Sequence, residues 1–159
     1  MQMTTTSSAE QNLAVLGYTL PPIPAPGGNY VSSKQAGAVL YLSGVVSMNA
    51  AGIITGTAGL DSTVEDGYVA ARACALTQLA VLKRDLGSLD RVAEVLTLNG
   101  YVNAVQGFPD APAIINGASD LLVAAFGEAG RHVRAAVGLN ALPRGALVEV
   151  QMTVRVKEG

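Results

Sequence analysis

The stretch 134–156, RAAVGLNALPRGALVEVQMTVRV, constrains the fold most, because two strand-like runs meet there across a turn signal. The runs cover 133–139 and 147–156, and Leu142-Pro143-Arg144-Gly145 separates them. In the second run Val148, Val150, Met152, Val154 and Val156 alternate with Glu149, Gln151, Thr153, Arg155 and Lys157. A period of two sends the apolar set to one face, as expected of a strand whose other side is not packed on helices. In the first run Val133, Ala135, Val137 and Leu139 share a face. Arg134 then projects to the opposite side, beside Ala136, Gly138 and Asn140, which are too small to fill the space around a guanidinium. That combination suggests a pocket.

At 159 residues the chain fits one domain with a sizeable core, expected over 12–159 and preceded by a disordered tail over 1–11. Half of the residues are hydrophobic, only 14% are charged, and the mean hydropathy is +0.37. A lone globule of that composition leaves much uncharged surface in water, so oligomerisation is expected. A net charge of −2 offers no electrostatic footprint for phosphate backbones, which argues against nucleic acid as a partner. One Cys and one His exclude an internal disulfide and a Cys/His metal cluster, so neither a metal nor another cofactor is expected. The start of the chain lacks the pattern of a signal peptide and no uninterrupted apolar run is long enough to span a bilayer; no membrane association and a cytoplasmic location are expected.

Taken in order, residues 12–18 read as a first strand and the Pro-rich run 20–28 as an extended loop. Strands are expected over 30–33 and 38–43, joined as a hairpin by 34–37, with a Gly-rich loop over 45–60 after Gly44. Ser62 and Glu65 match a capping box, predicting a helix whose apolar stripe is Val64, Tyr68, Ala71, Ala75, Leu79, Leu82 and Leu86 and whose stop is Gly87. A long strand follows over 91–102, then a loop over 103–111. A second helix is expected over 112–126, with Ile114, Ala118, Leu121, Leu122 and Ala125 inward and Gly127 as terminator. The order of elements implies an α+β layer with two helices on one face of a mixed sheet, and the other face, carrying Arg134 and Glu149, free for a partner subunit.

Over residues 29–156 these features resemble the Rid family of reactive intermediate deaminases. The most specific part is Arg134, then a small or apolar strand, Leu142-Pro143, and Leu147-Val148-Glu149-Val150; Tyr30, Ser43-Gly44 and Asn116 support it. The resemblance implies a chorismate-mutase-like fold, a homotrimer with sites at subunit boundaries, and a last strand inside the sheet. It also implies that Arg134 holds the carboxylate of a 2-imino acid, that Glu149 positions or activates water, and that Tyr30, Gly44 and Asn116 line the pocket. Ala136, Val45 and the long 103–111 loop depart from the common pattern and resemble a divergent, longer branch.

The implied reaction is hydrolysis of small 2-imino or enamine acids to 2-keto acids and ammonia. A non-catalytic trimer binding a small carboxylate is the alternative, and ribonuclease activity, attached to some members of that family, fits the acidic balance poorly. From pattern alone Arg134 reads either as a carboxylate clamp or as half of a cross-strand ion pair. Glu149 reads either as a general base with a pKa raised by burial or as a solvated strand residue. Tyr30 and Asn116 have equally ordinary readings as a half-buried strand tyrosine and a helix-start residue. Cys74 is read as a small core residue and His132 as exposed near the strand entry.

Overall fold

The computed structural model describes residues 7–159. Its elements are α1 (Ala9–Val15), β1 (Ser33–Ala36), β2 (Val39–Leu42), β3 (Val45–Val46), β4 (Met48–Asn49), β5 (Gly52–Ile53), α2 (Val64–Leu86), β6 (Val92–Asn103), α3 (Ala111–Phe126), β7 (Val133–Leu139) and β8 (Val148–Val156). The main sheet runs β1-β2-β8-β6-β7, with β3 also paired to β8, and β4 and β5 form a small separate ribbon. Among the described residues only β6 and β7 pair in parallel; the other strand pairs are antiparallel. The last strand thus lies between β2 and β6, in the sheet interior, and the architecture is the chorismate-mutase-like α+β layer that the resemblance implied.

The alternation of β8 decides where the core sits. Val148, Val150, Met152 and Val154 are fully buried against the helix layer, together with Leu98 and Val102 of β6. From the helices come Ala71, Cys74, Ala75, Leu79 and Leu82 of α2, and Ile114, Ile115, Ala118 and Leu122 of α3. Each of the larger aliphatic side chains contributes about 1.5–3 kcal/mol by leaving water. The two helices approach closely because glycines face the crossing: a Cβ on Gly117 would overlap the backbone carbonyl of Tyr68, and one on Gly67 would meet Ile114.

α2 begins one residue later than the sequence suggests. The N-cap is Thr63, whose hydroxyl accepts from the Asp66 amide at 3.1 Å while the Asp66 carboxylate accepts from the Thr63 amide at 2.9 Å. Ser62 instead donates to Asp61, which also accepts from the Thr57 amide and so ties the preceding loop. The helix ends as expected, with Gly87 left-handed at φ 81°.

The N-terminal segment corrects two expectations. Residues 12–18 are not a strand: Ala9–Val15 form α1, capped by Ser8 and Gln11 in a reciprocal capping box. Leu13 is buried, and the Asn12 amide nitrogen donates to the Ala125 carbonyl of α3 at 2.9 Å. Of the tail expected to be disordered over 1–11, residues 9–11 therefore belong to an ordered helix, and residues 1–6 lie outside the described residues. A third helix thus joins the two predicted ones. The first hairpin is also shifted. Its strands begin at Ser33 rather than Tyr30, and the tight turn is Gly37-Ala38, with Gly37 at φ 61° supplying the positive φ that such turns need. Tyr30 falls in the loop before it. Among the described residues no helix is long and apolar enough to cross a membrane.

Candidate active site

Glu149 stands on the sheet face away from the helices, because its neighbours Val148 and Val150 point into the core. It lies in register with Val46 of β3 and Tyr101 of β6. The chain leaves β2 at Leu42 and rejoins the edge of β8 only at Val45, and the intervening Ser43-Gly44 passes against the Glu149 side chain. A Cβ on Gly44 would stand 3.3 Å from Glu149 Cδ, so the absence of a side chain there leaves the carboxyl room.

The same turn is pinned from below. Gln78 of α2 is fully buried, and its amide nitrogen donates to the carbonyls of Ser43 at 2.9 Å and Val150 at 3.0 Å. Its Oε1 has no hydrogen-bond partner among the described residues.

Around Glu149 opens a cleft of about 600 Å³, whose wall includes Ile23 and Pro24 from the Pro-rich loop, Tyr30, Ser43, Gly44, Met48 and Arg144. The Tyr30 hydroxyl accepts from the Gly27 amide at 3.1 Å, which fastens the ring to that loop. The Glu149 carboxylate has neither an ion pair nor a hydrogen bond among the described residues, and burial pushes its pKa above the ordinary carboxylate value. A carboxylate so placed holds a proton more readily than one in water and is suited to exchanging it with a bound water.

Arg134 lies elsewhere. It pairs with Leu98, which faces the helices, and its guanidinium donates to Ser119 Oγ at 3.0 Å and to the Pro112 carbonyl at 3.1 Å, both on α3. Arg134 and Glu149 are therefore on opposite faces of the sheet, not on one shared open face as the alternation of β7 suggests. β7 is an edge strand that α3 covers only in part. Both of its faces are largely exposed, and Val133, Val137 and Leu139 on the open side are 70%, 43% and 37% exposed. The larger apolar residues of β7 therefore mark the face turned away from the helices, the reverse of what the alternation alone suggests.

Arg134 is also two strands away from β8, a lateral offset of about 10 Å at the usual strand spacing. It is exposed, and no carboxylate pairs with it among the described residues. Asn116 belongs to this second cluster. It is an exposed residue of α3 four positions after Pro112 and three before Ser119, so it shares their side of the helix with the guanidinium.

The expected site residues thus fall into two groups: Tyr30, Gly44 and Glu149 in a cleft, and Arg134 with Asn116 on the far edge. Sequence reasoning overlooked Ser119, Gln78 and Arg144. Ser119 was legible in principle, being seven residues beyond Pro112 on one helix face. Gln78 was visible only as a polar residue beside the inward stripe of α2.

The two other candidate groups have ordinary structural surroundings. Cys74 is fully buried, its Sγ donates to the Val148 carbonyl at 3.7 Å, and burial pushes the thiol pKa up. His132 is half-buried, its Nδ1 lies 3.2 Å from the Val133 carbonyl, and burial, with help from Arg134, pulls its pKa down. Among the described residues no three His, Cys, Asp or Glu side chains gather as metal ligands would.

Comparison with known proteins places this geometry in context. A family model described as "YjgF/chorismate mutase-like, putative endoribonuclease" matches residues 10–155. Protein TCP17 of Trypanosoma cruzi is 43% identical over 158 residues, 98% of this chain and 99% of that protein. A solved structure of a protein of unknown function from Agrobacterium tumefaciens is 40% identical, covering 94% of this chain and 92% of that one, with a TM-score of 0.88. RidA from an Antarctic Psychrobacter shares the fold at 23% identity, over 84% of this chain and 94% of its own, with a TM-score of 0.58. The drop between the last two values separates this chain and its nearer relatives from shorter members of the fold.

Proposed function

The chain belongs to the YjgF/Rid family, and from that premise we propose that it hydrolyses small 2-imino and enamine acids to 2-keto acids and ammonia in a site shared by adjacent subunits of a trimer. The observation that carries this reading is the division of the site residues between two faces of one sheet. A single chain cannot present Arg134 and Glu149 to one small molecule, whereas two copies set edge to cleft can. The exposed apolar side of β7 gives such a copy a surface to cover.

In this reading Arg134 of one subunit binds the substrate carboxylate through a two-pronged charge-assisted contact, held in aim by Ser119 and the Pro112 carbonyl. The imine carbon then lies over the neighbouring cleft. An enamine first takes a proton at carbon to become the imine, which is electrophilic once protonated on nitrogen. Water attacks the imine carbon while Glu149 accepts its proton. Glu149 passes that proton to the departing nitrogen and takes the hydroxyl proton as the carbinolamine collapses, so that the C–N bond breaks, ammonia leaves and a keto group remains. Positioning of water and imine supplies most of the acceleration, because the bond to be broken is already activated.

The test is a dehydratase that generates 2-aminoacrylate in the presence and absence of the protein, with ammonia release followed. Faster release with wild type, and loss of at least about 100-fold in kcat/KM in Arg134→Ala, is expected, equivalent to about 2.7 kcal/mol of transition-state binding. Unaccelerated release, or full activity in Arg134→Ala, rejects the reading. A second reading, a carboxylate-binding protein without turnover, draws support from the lack of any hydrogen-bond partner orienting Glu149. It predicts ligand-induced thermal stabilisation that Arg134→Ala abolishes and Glu149→Gln leaves intact. A net charge of −2 argues against ribonuclease activity, which the description of the family model names.

A further inference from the structure

Among the described residues, two charged side chains line the cleft around Glu149, Glu149 itself and Arg144, and the rest of the lining is apolar or neutral. About 600 Å³ is roomy for a three-carbon imino acid, being within the range of sites that hold much larger ligands. Arg144 has no ion pair and no side-chain hydrogen bond among the described residues, so it is not consumed by the fold.

Its backbone is the unusual part. Arg144 has φ 56° and ψ 24°, and among the described residues it is the one non-glycine in the left-handed region. A side chain there crowds the following carbonyl, which is why glycine or asparagine normally occupies such positions. The next residue is Gly145, also at positive φ. The turn between β7 and β8 thus holds a long cationic side chain in a conformation that a smaller residue would adopt with less strain. Strain of this kind persists at ligand sites when the side chain it presents is used.

We propose that Arg144 is a specificity-determining residue that binds a second anionic group on the substrate, so that the preferred ligands are 2-imino acids with a carboxylate at the far end of the side chain. This rests on the imine-hydrolysis reading: Arg134 of one subunit takes the carboxylate next to the reacting carbon, and Arg144 in the neighbouring cleft takes the distal one. The apolar wall of Ile23, Pro24 and Met48 accommodates the intervening methylenes.

The experiment titrates the full-length protein with two product-like probes, 2-oxoglutarate and 2-oxobutyrate, comparing wild type, Arg144→Ala, Arg144→Gly and Arg134→Ala. Wild type is expected to bind 2-oxoglutarate at least tenfold more tightly. Arg144→Ala and Arg144→Gly should erase that preference by weakening 2-oxoglutarate alone, and Arg134→Ala should weaken both probes. Arg144→Gly should also melt at a higher temperature than wild type, because it relieves the backbone while losing selectivity, a combination that a purely structural arginine does not give. Equal wild-type affinity for the two probes, or equal weakening of both in the Arg144 variants, overturns this inference and leaves the deaminase reading standing if Arg134→Ala still loses binding. Affinity for neither probe, or unchanged binding in Arg134→Ala, overturns both.

Discussion

The cleft that holds Glu149 and the edge that holds Arg134 are built in opposite ways. Glu149 sits on a central strand with neighbours on both sides, its surroundings enforced by Gly44, by the buried Gln78 amide and by the Pro-rich loop. Arg134 sits on an edge strand with one side unpaired, held by two hydrogen bonds to a helix and open to water. The interior provides an environment that alters a pKa. The edge provides a guanidinium held on a helix and open to whatever docks there.

That contrast can be broken from either side, and the largest effects belong to the chemistry. Arg134→Ala should forfeit ligand binding as well as turnover, whereas Glu149→Gln should lower kcat by about 100-fold or more with binding of a keto-acid product nearly unchanged, as measured by steady-state kinetics beside titration calorimetry. Equal loss of binding in both variants would mean that the two regions do not divide the labour.

Next in size is the packing beneath the edge. Gly117→Ala places a methyl against the Tyr68 carbonyl, which cannot swing aside as a side-chain tip can. A loss of about 2 kcal/mol, or several degrees in Tm, is expected despite the better helix propensity of alanine. Beneath the cleft, Gln78→Leu removes two buried hydrogen bonds but also an unpartnered oxygen, so the net cost should be about 1 kcal/mol by urea unfolding. Its sharper signature is catalytic: with Ser43-Gly44 released, kcat should fall while product binding at Arg134 persists.

The smallest effect is a pH dependence. Burial raises the folded-state pKa of Glu149 above 4.5, so the native chain retains this proton more readily than the unfolded chain. Stability contributed by the protonated form is therefore lost as pH rises from the unfolded value through the folded one. Glu149→Gln should melt higher than wild type at pH 7, with the difference vanishing below pH 4.5. A variant no more stable at pH 7 would show that the carboxylate is well solvated.

Much of this was written in local pattern. The stripe of α2 and its Gly87 stop, the inward set of α3 and the alternation of β8 each follow from a period that packing then satisfies. Ser8 and Gln11 even spell the capping box of α1, although the Leu and Val that follow look strand-like without the contact to α3 that settles them. The face of β7 was not legible. Its larger apolar residues, Val133, Val137 and Leu139, lie on the face away from α3, and which side meets α3 depends on the parallel crossover from β6 rather than on anything within 133–139. The residues of the candidate site could be listed from the resemblance, but not their separation onto two faces, since that is a property of the sheet's order.

Mixing subunits tests the division most directly. Arg134→Ala and Glu149→Gln chains, each inactive alone, are unfolded together, refolded at equal ratio and assayed for ammonia release. In a closed ring each site draws one residue from each of two neighbours, so about half times half, or roughly a quarter, of the sites regain both groups. Recovery of about a quarter of wild-type activity is the predicted result. Mixed trimers that form and stay as inactive as either parent would contradict it, because each chain would then need both residues for itself.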